Sequence, residues 1–211
     1  MQIAGKEKEK KLLERGIAML GLPPLQKETS EKFMLYLSEL KKWNRTHNLT
    51  AITDDREIII KHFLDSALYL KAVQGRGRRL ADIGSGAGFP GVVLKLLDPA
   101  LSVSLIEPAW KKAVFLRHIT RELGLEGITV MEEKLEGLRV GNPFDIALTR
   151  ALFKAPDFIK RASGMIKKGG FFIMSKGPSY EAELAGIRHE VLKLTLPFTD
   201  AERSVIIIIN G

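Results

Sequence analysis

The sequence predicts an α/β fold: a helical N-terminal segment, then a seven-stranded sheet, mostly parallel, that ends in an antiparallel hairpin. Three observations lead there. Apolar residues before position 80 recur at helical spacing, short apolar runs after it alternate with helical stretches, and the last two runs stand too close together for a crossover helix.

In chain order, helices are expected over 6–20, 27–43 and 54–72. Phe33, Leu37 and Leu40 mark the apolar stripe of the second, with Thr29 and Ser30 as its capping candidates. Gly21-Leu22-Pro23-Pro24 and a loop at 44–53 separate these helices, and Gln74-Gly75-Arg76-Gly77-Arg78-Arg79 breaks helix and ends the segment. Strands are expected at 80–83, 102–106, 128–131, 145–148, 171–175, 191–196 and 205–209. Only Pro197 to Ser204 joins the last two, too short a link for a right-handed helical crossover, so they pair as an edge hairpin. A dinucleotide-binding sheet usually continues into a second βαβ half, whereas a terminal hairpin is the ending of Rossmann-like class I methyltransferases. Residues 1–79 are therefore read as a helical segment and 80–211 as a cofactor-binding core, together one compact unit.

The 211 residues are 45% hydrophobic and 27% charged, which suits a packed globular chain and excludes a disordered or fibrous one. No apolar run reaches the roughly 18 residues of a spanning helix. The charged start from Lys6 to Lys11 lacks a following signal-peptide core, so a cytoplasmic protein is expected. Cysteine is absent, which removes disulfides, thiolate metal sites and cysteine nucleophiles together, and no metal is expected. The net charge of +8 favours a polyanionic partner. Residues 1–79 carry 16 Lys and Arg against 10 Asp and Glu, six of the eight excess charges, so that segment should help hold a polyanion.

The chemistry centres on Leu80-Ala81-Asp82-Ile83 followed by Gly84-Ser85-Gly86-Ala87-Gly88 and a helical stretch: strand, glycine turn, helix. Such glycines let the backbone approach a ligand closely, and the helix start adds a favourable amide end. A third glycine three residues after Gly86 would complete a pyrophosphate fingerprint, but Phe89 stands there. The spacing suits the amino-acid part of S-adenosylmethionine better. Asp82 could accept from turn amides or reach the methionine part, or it could simply cap a helix or turn. Glu107 ends the next strand, where an acid can receive both ribose hydroxyls.

The acceptor is narrowed by exclusion. Pyrimidine C5 methylation needs a cysteine nucleophile, and adenine amino methylation normally uses Asn or Asp followed by Pro-Pro and an aromatic, where this chain has Thr149-Arg150-Ala151-Leu152. Acceptors needing little acid or base help remain, the N7 lone pair of guanine among them, with positioning supplying most of the catalysis. Arg150, at the end of the fourth strand, could bind a guanine edge, a phosphate or the cofactor. Lys176 at the end of the fifth is a candidate phosphate contact, and Lys111, Lys112, Arg117 and Arg121 form a candidate basic stripe for RNA or a solvated face.

Together these segments resemble the bacterial 16S ribosomal RNA small-subunit methyltransferase G family. The resemblance spans nearly the whole chain through Lys42-Trp43-Asn44, Asn48-Leu49-Thr50, His62-Phe63-Leu64-Asp65-Ser66, the turn with its Phe89-Pro90-Gly91 extension, Lys111-Lys112, Phe115-Leu116, Arg150-Ala151, Lys176-Gly177 and Arg203. It implies methyl transfer from S-adenosylmethionine to N7 of one guanine in a decoding-region loop of 16S rRNA; naked rRNA and a 30S particle both stay open as the substrate, and a monomer is expected. It carries cofactor contacts onto Gly84, Phe89, Leu135, Glu136 and Arg150, beside Asp82, Gly86, Gly88 and Glu107 read from the turn and strand ends themselves; Lys111, Lys112, Arg117, Lys176 and Arg203 are the candidate RNA contacts. Departures are mild: Glu107 where Asp is frequent, Lys112 where Arg is frequent, and Thr149 where Ser is frequent. Trp43, Asn44, Asn48 and His62 either touch RNA or brace the helices, with bracing favoured for His62 by its apolar neighbours Phe63, Leu64 and Leu68. The competing readings are a methyltransferase acting on another nucleic acid or a small molecule, and a non-catalytic nucleotide- or RNA-binding regulator.

Overall fold

A computed structural model describes residues 6–150, 152–177 and 180–211; Ala151 of the Arg150-Ala151 pair lies outside the described residues. Helix α1 (Glu7–Met19) is followed by α2 (Lys27–His47), whose buried Phe33, Met34, Tyr36, Leu37 and Leu40 form one stripe at three- and four-residue spacing. The capping expectation for α2 is corrected. Thr29 and Ser30 lie inside the helix, and the Ser30 hydroxyl instead donates to Glu14 of α1 at 2.8 Å, so a neighbouring helix has claimed it. The helix also runs one turn past Trp43 and stops at Asn48 (φ 48°), the residue type after glycine that best tolerates the left-handed region.

The third expected helix is present but irregular. It starts at α3 (Asp55–Ile58), capped by the Asp54 carboxylate on the Glu57 amide, widens into a π turn over Ile59–Leu64, and resumes as α4 (Asp65–Ala67) and α5 (Tyr69–Val73). Such turns cluster at functional sites.

The sheet holds β1 (Arg79–Ile83), β2 (Ser102–Ile106), β3 (Ile128–Met131), β4 (Phe144–Arg150), β5 (Ile166–Lys176), β6 (His189–Thr195) and β7 (Glu202–Ile209) in the order β3-β2-β1-β4-β5-β7-β6. The first five are parallel, and β7 runs antiparallel to both β5 and β6, as the short final link required. Helices α6 (Gly91–Leu97), α7 (Trp110–Glu122) and α8 (Ala155–Ala162) cross over. Period-two alternation sorts the core. Val205 and Ile207 of β7 face the cluster that contains α1, α2, α6 and α7, while Ile206 and Ile208 face the one under α8. The N-terminal helices therefore share a core with one whole face of the sheet.

Tyr69, fully buried, inserts between β4 and β5 at their carboxyl ends. Its hydroxyl donates to the Thr149 carbonyl and accepts from the Ser175 amide, both at 3.0 Å, bridging the two strands beside Arg150 and Lys176. A crevice at the carboxyl ends of a parallel sheet is where such folds bind ligands.

Candidate active site

The turn after β1 is built by backbone bonds to the end of β2. The Gly84 and Ser85 amides donate to the Ile106 carbonyl at 2.9 and 3.2 Å, and Gly88 and Phe89 close the turn onto the Ser85 carbonyl at 2.8 and 2.9 Å. Glu107 ties the two strand ends together: one oxygen accepts from the Gly86 amide at 2.8 Å and the other from Ala109 at 3.0 Å. Each carboxylate oxygen keeps a second lone pair for a ligand hydroxyl. The longer Glu, in place of Asp, spans both amides.

Asp82 is wholly buried. One oxygen accepts from the Gly91 amide at 2.7 Å, capping the start of α6, and the other has no partner. Burial pushes its carboxyl up to about 7, against the Gly91 amide and the Arg150 charge, which pull it down. The cap role expected for Asp82 thus takes one oxygen, and the other stays without a partner among the described residues.

Phe89 carries a stack. Tyr36 packs on it at 5.4 Å and 18°, His62 at 4.5 Å and 14°, and the Arg150 guanidinium lies 5.4 Å from its centroid. Arg150 donates to the Lys61 carbonyl in the π turn at 3.2 Å, approaches His62 Nδ1 at 3.4 Å and sits 3.6 Å from Asp65. Since guanidinium only donates, Nδ1 accepts, and Nε2 carries the proton toward the Thr50 hydroxyl at 2.8 Å. Burial and the Arg150 charge lower His62 to about 4, so the ring is neutral. Thr50 is fixed in turn by two bonds of 2.9 Å between its backbone and the Asn44 amide group. The sequence left Asn44 and Asn48 open between RNA contact and bracing and favoured bracing for His62; Asn44 and Asn48 shape the loop, and His62 lies against Arg150.

Arg203 joins this group: its Nε donates to Asp65 at 2.8 Å, so a buried carboxylate lies between two arginines. Sequence reasoning quoted Asp65 without giving it a task. The Thr149 hydroxyl donates to the Ile83 carbonyl at 3.0 Å, which serine could do equally. Lys176 reaches the Phe153 carbonyl and Glu183, both at 2.7 Å, and Glu183 also accepts from the Ala155 amide at the head of α8. It is held inward rather than presented to solvent.

Leu135 is buried in the 3₁₀ turn Leu135–Gly137, and Glu136 is exposed and paired with Arg161. On α7, Arg117 pairs with Glu132 at 2.8 Å and Arg121 with Glu122 at 3.4 Å, while Lys111 and Lys112 have no ion pair among the described residues. Half of the expected stripe is neutralised. Trp43 packs on Phe115 and His118, and His118 bonds Glu39 at 2.6 Å. Trp110 was overlooked: it is exposed directly before Lys111 and Lys112, an aromatic set in a basic run.

Comparison with known proteins matches residues 29–201 to the family model described as rRNA small subunit methyltransferase G. Proteins named ribosomal RNA small subunit methyltransferase G are similar along nearly the whole chain. That of Geobacter sp. (strain M21) is 39% identical, covering 94% of this chain and 96% of that protein. That of Acetivibrio thermocellus is 36% identical over 95% and 88%. Among solved structures, the magnesium protoporphyrin IX methyltransferase of Synechocystis PCC 6803 with bound SAM has a TM-score of 0.59 at 15% identity, covering 89% of this chain and 98% of that one. A T. thermophilus 16S rRNA N2 methyltransferase in complex with AdoMet and guanosine has a TM-score of 0.55 at 21% identity, over 69% and 43%. These two likenesses speak for the fold alone. Matched over most of its length by the family model and by relatives above 30% identity, the chain belongs to the rRNA small subunit methyltransferase G family.

Proposed function

We propose that this protein transfers a methyl group from S-adenosylmethionine to N7 of a guanine in a decoding-region loop of 16S rRNA, acting as a cytoplasmic monomer. The observation that carries the reading is the Gly86 amide held by Glu107 beside open space at the end of β1. The donor set fits the cofactor: hydroxyl-accepting Glu107, an unpartnered buried Asp82 oxygen, and Leu135-Glu136 beyond β3 at the adenine position. Bound there, S-adenosylmethionine supplies a methyl group on a sulfonium that needs no further activation.

The chain's own part is then binding and orientation. Neutral guanine N7 carries a free lone pair, so no residue has to remove a proton before transfer, and alignment supplies the rate. We assign Arg150 to this alignment. Four contacts hold its fork rigid at the carboxyl end of β4: the Phe89 face, the Lys61 carbonyl, His62 Nδ1 and Asp65. A neutral His62 adds no second charge there. Arg203, across Asp65, and the free Lys111 and Lys112 supply cationic contacts for RNA on either side.

The test is mapping of the modified base after the purified protein acts on 16S rRNA and on 30S particles from a strain lacking the enzyme. The expected product is a single N7-methylguanine in the decoding region. A methyl group on another atom, or none on either substrate while cofactor binds, overturns the reading.

A further inference from the structure

Trp110 stands at an odd place for an indole. It opens α7, three residues beyond Glu107, with 58% of its surface exposed. The chain's other tryptophan, Trp43, packs against Phe115 and His118, so the exposed ring is not a general habit of this protein. Its base is stiff. The Ala109 amide is bonded to the Glu107 carboxylate, and the Lys112 and Ala113 amides bond back to the Ala109 carbonyl at 2.9 and 3.0 Å. A large flat ring on a rigid mount loses little entropy when something stacks on it.

Its surroundings specify the chemistry. Lys111 Nζ lies 5.9 Å from the ring centroid, and neither Lys111 nor Lys112 has an ion pair among the described residues. An aromatic face beside unpaired cations is what single-stranded nucleic acid asks for: stacking for a base and charge for its phosphate. A protein partner would favour an apolar patch poor in lysine. On the opposite side of the glycine turn Leu152, 52% exposed, lies over Gly84.

We infer that Trp110 is a stacking platform for an unpaired base of the RNA substrate next to the target nucleotide, with Lys111 and Lys112 on the adjoining phosphate. This rests on the rRNA reading above. It also gives that reading a rim residue whose ring selects loops over duplex, because bases in a helix offer no free face.

The experiment compares wild type with Trp110→Ala and Trp110→Phe, measuring methyl transfer to the 16S substrate, cofactor affinity, and tryptophan emission as an unpaired RNA fragment of the target loop is added. Trp110→Ala should raise KM for RNA about tenfold, with kcat and cofactor affinity held within about twofold, and Trp110→Phe should stay near wild type. Emission should be quenched by the fragment in wild type and not in Trp110→Phe. An active wild type with unchanged KM in Trp110→Ala overturns the platform and leaves the rRNA reading standing. Cofactor affinity falling in step with KM assigns Trp110 to the adenine instead and overturns it too. A wild type that methylates no rRNA base removes both.

Discussion

A side chain on Gly86 would project into open space, its Cβ 4.0 Å from the nearest non-neighbouring atom, the Gly84 carbonyl oxygen. One on Gly88, two residues later, would lie 2.5 Å from Tyr36 Oη and 2.7 Å from Val92 Cγ2. Both have positive φ, 59° and 96°. The outward half of the turn keeps room for a ligand; the inward half keeps room for α2, whose Tyr36 donates to the Ala87 carbonyl at 2.5 Å. One glycine-rich string thus has an open side and a packed side, and the proposed cofactor site lies on the open one.

That division can be broken experimentally. Gly86→Asp places a carboxylate beside Glu107 where the cofactor is proposed to bind, and Asp tolerates the left-handed region. Methyl transfer should fall about a hundredfold or more, near 3 kcal/mol, while the melting temperature moves by only a few degrees. Unchanged transfer would remove the outward half from the site. Gly88→Ala should do the reverse. Strain and overpacking together cost about 3 kcal/mol, seen as a drop in melting temperature of roughly 10 °C. A fully stable Gly88→Ala would mean that Tyr36 does not press on the turn.

Asp82, which holds Gly91 on the inward side, makes a pH-dependent version of the same test. Its carboxyl is raised from 3.8 to about 7 by burial, so between those values the folded state keeps a proton that the unfolded chain has lost. Its contribution is complete below pH 3.8 and fades as pH rises toward 7. His62, lowered to about 4, acts in the opposite sense between pH 4 and 6.5, but it is common to wild type and Asp82→Asn. In urea titrations from about pH 5 to 6.5, Asp82→Asn should gain roughly 2 kcal/mol relative to wild type. A constant difference would show that the carboxylate is ionised throughout. The smallest effect concerns coupling: Tyr36→Phe removes the oxygen that Gly88→Ala would strike, so the double variant should be more stable than the sum of singles by about 1 kcal/mol. Strict additivity would separate the helix from the turn.

Most of the sheet was legible because its signals are local. Strands β2 and β3 have the expected bounds, and the length of the Pro197 to Ser204 link dictated the antiparallel ending. What escaped depends on partners far along the chain. Ser30 reads as a cap until Glu14 is seen beside it. The π turn has no local signature, and its Lys61 carbonyl meets Arg150 only in the folded chain. Gly84, Gly86, Glu107 and Arg150 stand at the strand ends where type and spacing put them, whereas the close packing of Tyr36 on Gly88 had no local sign in the sequence. Lys176 read as a candidate phosphate contact because its pairing with Glu183 has no local sign in the sequence.

Tyr69 carries a consequence in time. The two backbone groups it joins lie 80 and 106 residues further along the chain. At roughly 5 to 20 residues per second, the ribosome releases α5 many seconds before β5 exists to receive it. Through that interval the apolar faces of α1, α2 and α5 wait without the sheet that covers them. We propose that residues 1–79 and 80–211 become stable together, as one cooperative unit, and only late in synthesis. Nascent chains stalled before Ile166 should be cut by protease within Tyr69–Val73, and chains extended through Ile209 should resist; early protection there would mean that the helices stand on their own.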